Sequence, residues 1–149
     1  MMDDPKSLAF SIELSWDKKS GGHVNLGEHG SLMVDALPEF GGEGIQPCPD
    51  ELFLASLGGC LLTTFLYVRR KLKLPLIDLR ISVGGGVRLQ GSEGYRLTSV
   101  EVVMHVKTLR EYEARAEECV RLTESFCHLT RLIGEAVPLR LSAKIECAE

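Results

Sequence analysis

Residues 50–71, DELFLASLGGCLLTTFLYVRRK, decide how this chain folds. From Leu52 to Val68 no residue is charged, and the apolar side chains lie on every side rather than along one stripe. A helix of that kind packs against other elements on each face. At about 1.5 Å per residue it runs roughly 30 Å, the width of a small domain. Gly58 and Gly59 interrupt it halfway. Each costs about 1 kcal/mol against alanine in a helix, so the pair predicts close approach of another backbone. Cys60 follows at once, and a thiol in that crowded place is the first candidate for chemistry. Asp50 is suitably placed as the N-cap, with Phe53 at N3, which leaves no full capping box.

The same stretch invites a membrane reading, because its uncharged run is just long enough for a bilayer span and Arg69, Arg70 and Lys71 resemble a cytoplasmic flank. Two glycines, Ser56, Thr63, Thr64 and strand-like neighbours argue against it. No membrane association is expected.

Working outward, the alternation of Leu8, Phe10, Ile12, Leu14 and Trp16 against Ser11, Glu13 and Ser15 predicts a half-buried strand over residues 8–16. DKKSGG, residues 17–22, is a turn, His23 to Leu26 returns as a second strand, and SLMVDAL after Gly30 is a third. PEFGGEGIQPCPD, residues 38–50, is too rich in glycine and proline for helix or strand and reads as an ordered loop. After the helix, Leu76 to Leu89 turns Ile77, Leu79, Ile81 and Val83 inward, and Gly84, Gly85 and Gly86 predict a bulge. Arg96 to Lys107 pairs with it as a hairpin. Tyr112 to Gly134 has helical spacing, with Cys119, Val120, Thr123, Phe126, Cys127 and Thr130 on one face and a break near Cys127 or His128. Leu139 to Ile145 closes the sheet. The order β-β-β-α-β-β-α-β gives an α+β fold in which helices cover antiparallel sheet, and residues 1–149 form a single domain.

Composition excludes several functions. A net charge of −4 with scattered basic residues disfavours nucleic acid as a partner. The acidic start, MMDDPKSLAF, has no apolar signal core, so no export signal is expected. Five cysteines without a repeating spacing do not form a secreted disulfide scaffold. No Cys-x-x-Cys or paired histidines stand at zinc spacing, so neither metal nor other cofactor is expected, and a reducing cytoplasm is the expected compartment.

Cys60 by itself reads more readily as a small buried hydrophobe than as a reactive thiol. Cys127 changes the weighing, because it lies on the inner face of the other long helix, and two helices covering one sheet can bring such residues together. A thiolate beside a second thiol is the arrangement of a peroxide-reducing or redox-sensing pair. Cys48 reads as a loop thiol, Cys119 as core and Cys147 as part of a frayed tail. His105 reads as a strand residue, His23 and His29 as solvated, and His128 as pointing away from its neighbour Cys127.

The motifs CPDELFLASLGGC, ending at Cys60, and TESFCHLTRLI, containing Cys127, resemble the OsmC and organic hydroperoxide resistance (Ohr) proteins. GGEGIQPCPDEL before the helix, Leu-Pro-Leu after it and AVPLRLSAKIE near the end fit as well. The likeness is to the OsmC-like branch of that superfamily and covers nearly the whole chain, the first thirty residues least. It implies an intertwined homodimer with a long buried central helix and active sites at the subunit interface. It also implies a thiol-dependent peroxidase for organic hydroperoxides, with Cys60 as nucleophile, Cys127 as resolving thiol and a dithiol or lipoyl-protein as reductant. The family's acidic residue falls on Asp50, with Glu51 beside it.

One departure matters. Peroxidases of the family place a guanidinium, supplied from ahead of the central helix, near the reactive sulfur, and this chain has no arginine before Arg69. Lys18, Lys19, a later arginine or one from a second subunit would have to substitute. The resemblance without that arginine implies a weaker peroxidase or another use of the site. The alternatives are a dimeric redox-sensing or small-molecule-binding protein without efficient turnover, and a protein whose thiols are purely core.

Overall fold

The computed structural model describes residues 8–149, so the segment read above as lacking an export signal lies largely outside the described residues. The chain gathers into two compact units, one ending at Leu52 and the other running from Phe53 to Glu149. The boundary falls inside a helix, not in a linker.

The first unit is an antiparallel sheet of β1 (Glu13–Trp16), β2 (Gly21–Asn25) and β3 (Ser31–Asp35), in that order. The expected strand over residues 8–16 is shorter than its alternation suggested. β1 pairs with β2 from Glu13↔Asn25 to Trp16↔Gly22, and β2 ends at Asn25, so Leu8 to Ile12 have no ladder to join. Nor is this strand half-buried, for Leu14 is 58% and Trp16 63% exposed. Past β3 the chain turns through Pro38–Phe40 and the glycine-rich loop.

Asp35 organises that loop. Its Oδ1 accepts the Ser20 hydroxyl and the Ala36 N–H, both at 2.8 Å. Its Oδ2 accepts the N–H groups of Glu43 (2.9 Å) and Gly44 (3.2 Å). These bonds hold its carboxyl below the usual carboxylate range, the Ser20 hydroxyl having the largest effect.

Helix α1 (Pro49–Leu72) starts one residue before the expected N-cap. The Cys48 carbonyl already accepts the Leu52 N–H, which makes Cys48 the cap and puts Pro49 at the first helical position, where its missing N–H costs nothing. Asp50 is therefore inside the first turn. Glu51, at N3, accepts the Cys48 N–H at 2.8 Å, which is half of a capping box.

In the second unit, β4 (Asp78–Leu89), β5 (Tyr95–Leu109) and β6 (Leu139–Ala148) form one sheet. Between β5 and β6 run α2 (Glu113–Phe126) and α3 (His128–Ala136). β4 and β5 form the expected hairpin, with the expected irregularity between Gly86 and Val87. β6, however, lies parallel to β5 instead of antiparallel. The two helices form a crossover that returns the chain to the end of the sheet where β5 began, and a strand added after a crossover runs parallel. Cys147 belongs to this strand, opposite Thr108, and is not frayed.

Leu57, Leu61, Phe65 and Val68 recur at helical spacing and are buried against Val100, Val102, Met104 and Val106 of β5 and Ala116, Cys119 and Val120 of α2. Each such side chain contributes about 1.5–3 kcal/mol on leaving water. The chain by itself covers only that stripe of α1, for Tyr67 is 54% exposed. Two other readings need correcting. Ile77 precedes β4 and is exposed, and Phe126, at the last turn of α2, points to solvent.

The double glycine of α1 also behaves differently from expectation. A methyl group on Gly58 would sit 3.2 Å from Val83 Cγ2, a side chain and not a backbone, and one on Gly59 would meet nothing within 4 Å. One turn earlier, Leu54 lies over Gly85, where an added Cβ would come within 3.2 Å of it. Small and large residues alternate across the contact, so Gly58 faces Val83 and Leu54 faces Gly85. That seats α1 close to β4.

Candidate functional site

Cys60 follows the two glycines on α1, part-buried against the core. Cys127 is fully buried and belongs to neither flanking helix. Its N–H is bonded to the Thr123 carbonyl, ending α2, and its own carbonyl accepts the Arg131 N–H, beginning α3. Between these bonds its backbone is extended (φ −70°, ψ 107°). The break expected near Cys127 or His128 is therefore at Cys127, and it turns the side chain toward α1. The two Sγ atoms are 3.1 Å apart. A disulfide bond is about 2.05 Å, so roughly an ångström of approach would close it.

The kink has a second effect. It brings the first turn of α3 to the same sulfur, where the Leu129 N–H acts on Cys60. Such N–H groups have no partner within their own helix and favour an anion. Burial pushes the Cys60 thiol up, and the adjacent Cys127 sulfur pushes it the same way. The Leu129 N–H and the Thr64 hydroxyl, one helical turn along α1, draw it down, though not enough to reverse the balance. None of these groups among the described residues is a lysine or arginine.

His128 also meets Cys60, with Nδ1 at 3.8 Å from Sγ. The expectation that it points elsewhere fails because it assumed a continuous helix, in which consecutive residues diverge by about 100°. Across the break at Cys127 they need not. The sequence signal for this was slight, a histidine directly after a cysteine at an uncertain helix boundary.

Asp50 belongs to the unit ending at Leu52. With Cys48, Asp35, Ser20, Leu37 and Phe40 it borders a cavity of about 350 Å³. Cys48 is buried there as the helix cap, so it is more than a loop thiol. Cys119 is core as expected. It is fully buried, its Sγ lies 3.9 Å from the Phe65 carbonyl, and burial pushes its thiol up to about 11. Lys18 lies over the Trp16 ring at 4.7 Å. No cluster of three or more possible metal ligands occurs among the described residues.

The family model for OsmC-like protein matches residues 41–142, a span that includes Asp50, both sulfurs and His128. The chain belongs to the OsmC-like family. Solved OsmC-like structures resemble it over nearly their full length. The OsmC-like protein from Mycoplasma pneumoniae is 15% identical with a TM-score of 0.78, over 99% of this chain and all of that one. An organic hydroperoxide resistance protein OsmC from Legionella pneumophila is 25% identical with a TM-score of 0.74, over 93% and 99% of the two chains. An organic hydroperoxide resistance protein from Elizabethkingia anophelis is 16% identical with a TM-score of 0.75, over 95% and 100%. No curated protein matches the chain. α1 has the length and composition to cross a membrane, a property it shares with core helices of soluble proteins, and the OsmC-like fold gives it the latter role.

Proposed function

We propose that this OsmC-like protein is a thiol-dependent peroxidase that reduces organic hydroperoxides through Cys60, with Cys127 as the resolving thiol. The observation that carries the proposal is the 3.1 Å approach of two sulfurs separated by 67 residues. In this reaction the Cys60 thiolate attacks the distal oxygen of ROOH and the O–O bond breaks. The alkoxide leaves as ROH after taking a proton, and Cys60 becomes a sulfenic acid. The Cys127 sulfur then displaces hydroxide from it, which departs as water, and a Cys60–Cys127 disulfide remains. A dithiol, of which a protein-bound lipoyl group is the expected example, reduces that disulfide by exchange. Asp50 is assigned the family's acidic position on the resemblance alone.

The exposed flank of α1 supports a homodimer, in which a second copy would cover the apolar side chains that one chain leaves in water. The free thiols suit a reducing compartment, the cytoplasm.

The raised Cys60 thiol, with no lysine or arginine acting on it among the described residues, favours a second reading. In it the pair oxidises slowly as a redox sensor, or the site binds a small molecule without efficient turnover. Mixing reduced protein with cumene or tert-butyl hydroperoxide and following thiol loss separates the two. Rapid formation of the Cys60–Cys127 disulfide, absent in Cys60→Ser, with turnover under a dithiol, supports the peroxidase. Slow oxidation without turnover supports the sensor.

A further inference from the structure

We propose that His128 is a catalytic residue of this site, an imidazole that takes the proton of the Cys60 thiol and gives a proton to the departing alkoxide. The inference rests on the peroxidase reading for its second step only. The first step, proton transfer between sulfur and nitrogen, stands on geometry that needs no substrate.

Three observations carry it. Nδ1 of His128 lies 3.8 Å from Cys60 Sγ, within reach of a sulfur hydrogen bond. The side chain is exposed, so the imidazole can exchange protons with water while the sulfur stays part-buried. Finally, burial disfavours the Cys60 thiolate, and the groups that oppose burial, the Leu129 N–H and the Thr64 hydroxyl, bring no full positive charge. An anion needs a counter-charge there, and a proton moved from sulfur to imidazole supplies it in the same event. Thiolate–imidazolium pairs form in this way where a cysteine and a histidine share a hydrogen bond.

The N-terminus of α3, which begins at His128, favours the thiolate. The imidazolium formed by the transfer then has the leaving oxygen, to which the negative charge has moved, as the acceptor of its proton. The proton count closes. Cys60 yields one proton to His128, the thiolate becomes S–OH on taking the distal OH of ROOH, and RO⁻ receives the His128 proton to leave as ROH. Among the described residues the titratable group in contact with the imidazole is Cys60 on α1, whose sulfur in turn lies 3.1 Å from Cys127 at the helix junction. Arg131, one turn further along α3, is held on the Ser125 carbonyl at 3.1 Å.

The test uses the full chain carrying Cys127→Ser, so that Cys60 is followed without its partner thiol. Thiolate absorbance and the rate of Cys60 alkylation by iodoacetamide are recorded from about pH 5 to 10, with His128 present and with His128→Gln or His128→Asn. Circular dichroism confirms that each variant is folded. With His128 the alkylation rate stays measurable well below neutral pH. Without it the profile moves to higher pH and the rate at neutral pH falls roughly tenfold. His128→Lys restores alkylation at low pH, because a cation alone stabilises the thiolate, but hydroperoxide consumption by the otherwise unaltered chain stays depressed. Superimposable alkylation profiles with and without His128 overturn the proposal. A shifted profile in a protein that consumes no hydroperoxide upholds the proton transfer and removes the peroxidase reading instead.

Discussion

Cys127 caps the end of α2 and the start of α3 at once, and from that junction its sulfur reaches within 3.1 Å of Cys60 on α1. Bridging them would close a loop of 67 residues. By the chain-entropy estimate, restricting the unfolded chain that much is worth about 4 kcal/mol. The oxidised protein is expected to unfold at a higher denaturant concentration than the reduced one. The difference should vanish in Cys60→Ser and in Cys127→Ser. Equal midpoints with and without dithiothreitol, in protein whose disulfide is verified by mass spectrometry, would contradict this.

Asp35 receives four hydrogen bonds through its two carboxylate oxygens, all of which favour the ionised form. Because its folded value is depressed, this contribution is present above the ordinary value of 3.8 and is lost as pH falls through the lower folded value. Residues 36–44 should therefore become protease-sensitive only below the ordinary 3.8, as pH falls through the lower folded value, in the unaltered protein. They should be sensitive at neutral pH in Asp35→Ala. Limited digestion with a protease active at both pH values, followed by mass spectrometry of the fragments, reads both arms.

Cys119 runs the other way. Its folded value of about 11 lies above the ordinary 9.0, so the folded state holds a proton that the unfolded state releases. Stability is full below about pH 9 and declines as pH rises toward 11, by on the order of 2 kcal/mol. Cys119→Ala should lose about 1 kcal/mol at neutral pH for the small cavity, yet show a flatter alkaline decline. Chemical denaturation at a series of pH values provides the comparison.

The adjacent glycines of α1 should differ on substitution. Gly59→Ala adds a methyl group to open space and removes a helix-weakening residue, so it should stabilise the chain by about 0.5–1 kcal/mol. Gly58→Ala brings the same backbone gain, but its methyl presses on Val83, and the net change should be close to zero or unfavourable. A larger gain at Gly58 than at Gly59 would mean that the α1–β4 contact is looser than described.

Tyr67 and Leu62, exposed on α1 away from the Leu57–Leu61–Phe65 stripe, should be covered in a homodimer. Sedimentation at micromolar concentration is expected to give twice the chain mass. Leu62→Glu should shift it toward the monomer while circular dichroism stays unchanged. A monomer throughout would remove the homodimer.

Much of this was legible in the chain because apolar period and turn residues act locally. The α1 stretch, the β4–β5 hairpin and the bulge after Gly84–Gly86 follow from residues close together in sequence. The meeting of Cys60 and Cys127 was also foreseeable from two helices covering one sheet, aided by the OsmC resemblance. What could not be read depended on partners distant in the chain. Leu8 to Ile12 alternate well, but whether they join a ladder depends on where β2 stops. The direction of β6 depends on its crossover. His128 was misjudged because one extended residue redirects everything after it, and a single residue leaves almost no trace in a periodicity. Asp35 was missed because its four partners lie in turns that carry no pattern.

The border between the two compact units cuts α1 between Leu52 and Phe53, which limits how the molecule can be dissected. A fragment starting at Phe53 would keep both sulfurs and His128 but lose Cys48, Pro49 and Glu51, the residues that start the helix. Its opening turns would unravel towards Cys60. Trimming the protein to the half that holds Cys60 would therefore loosen the helix around the very thiol it was meant to isolate.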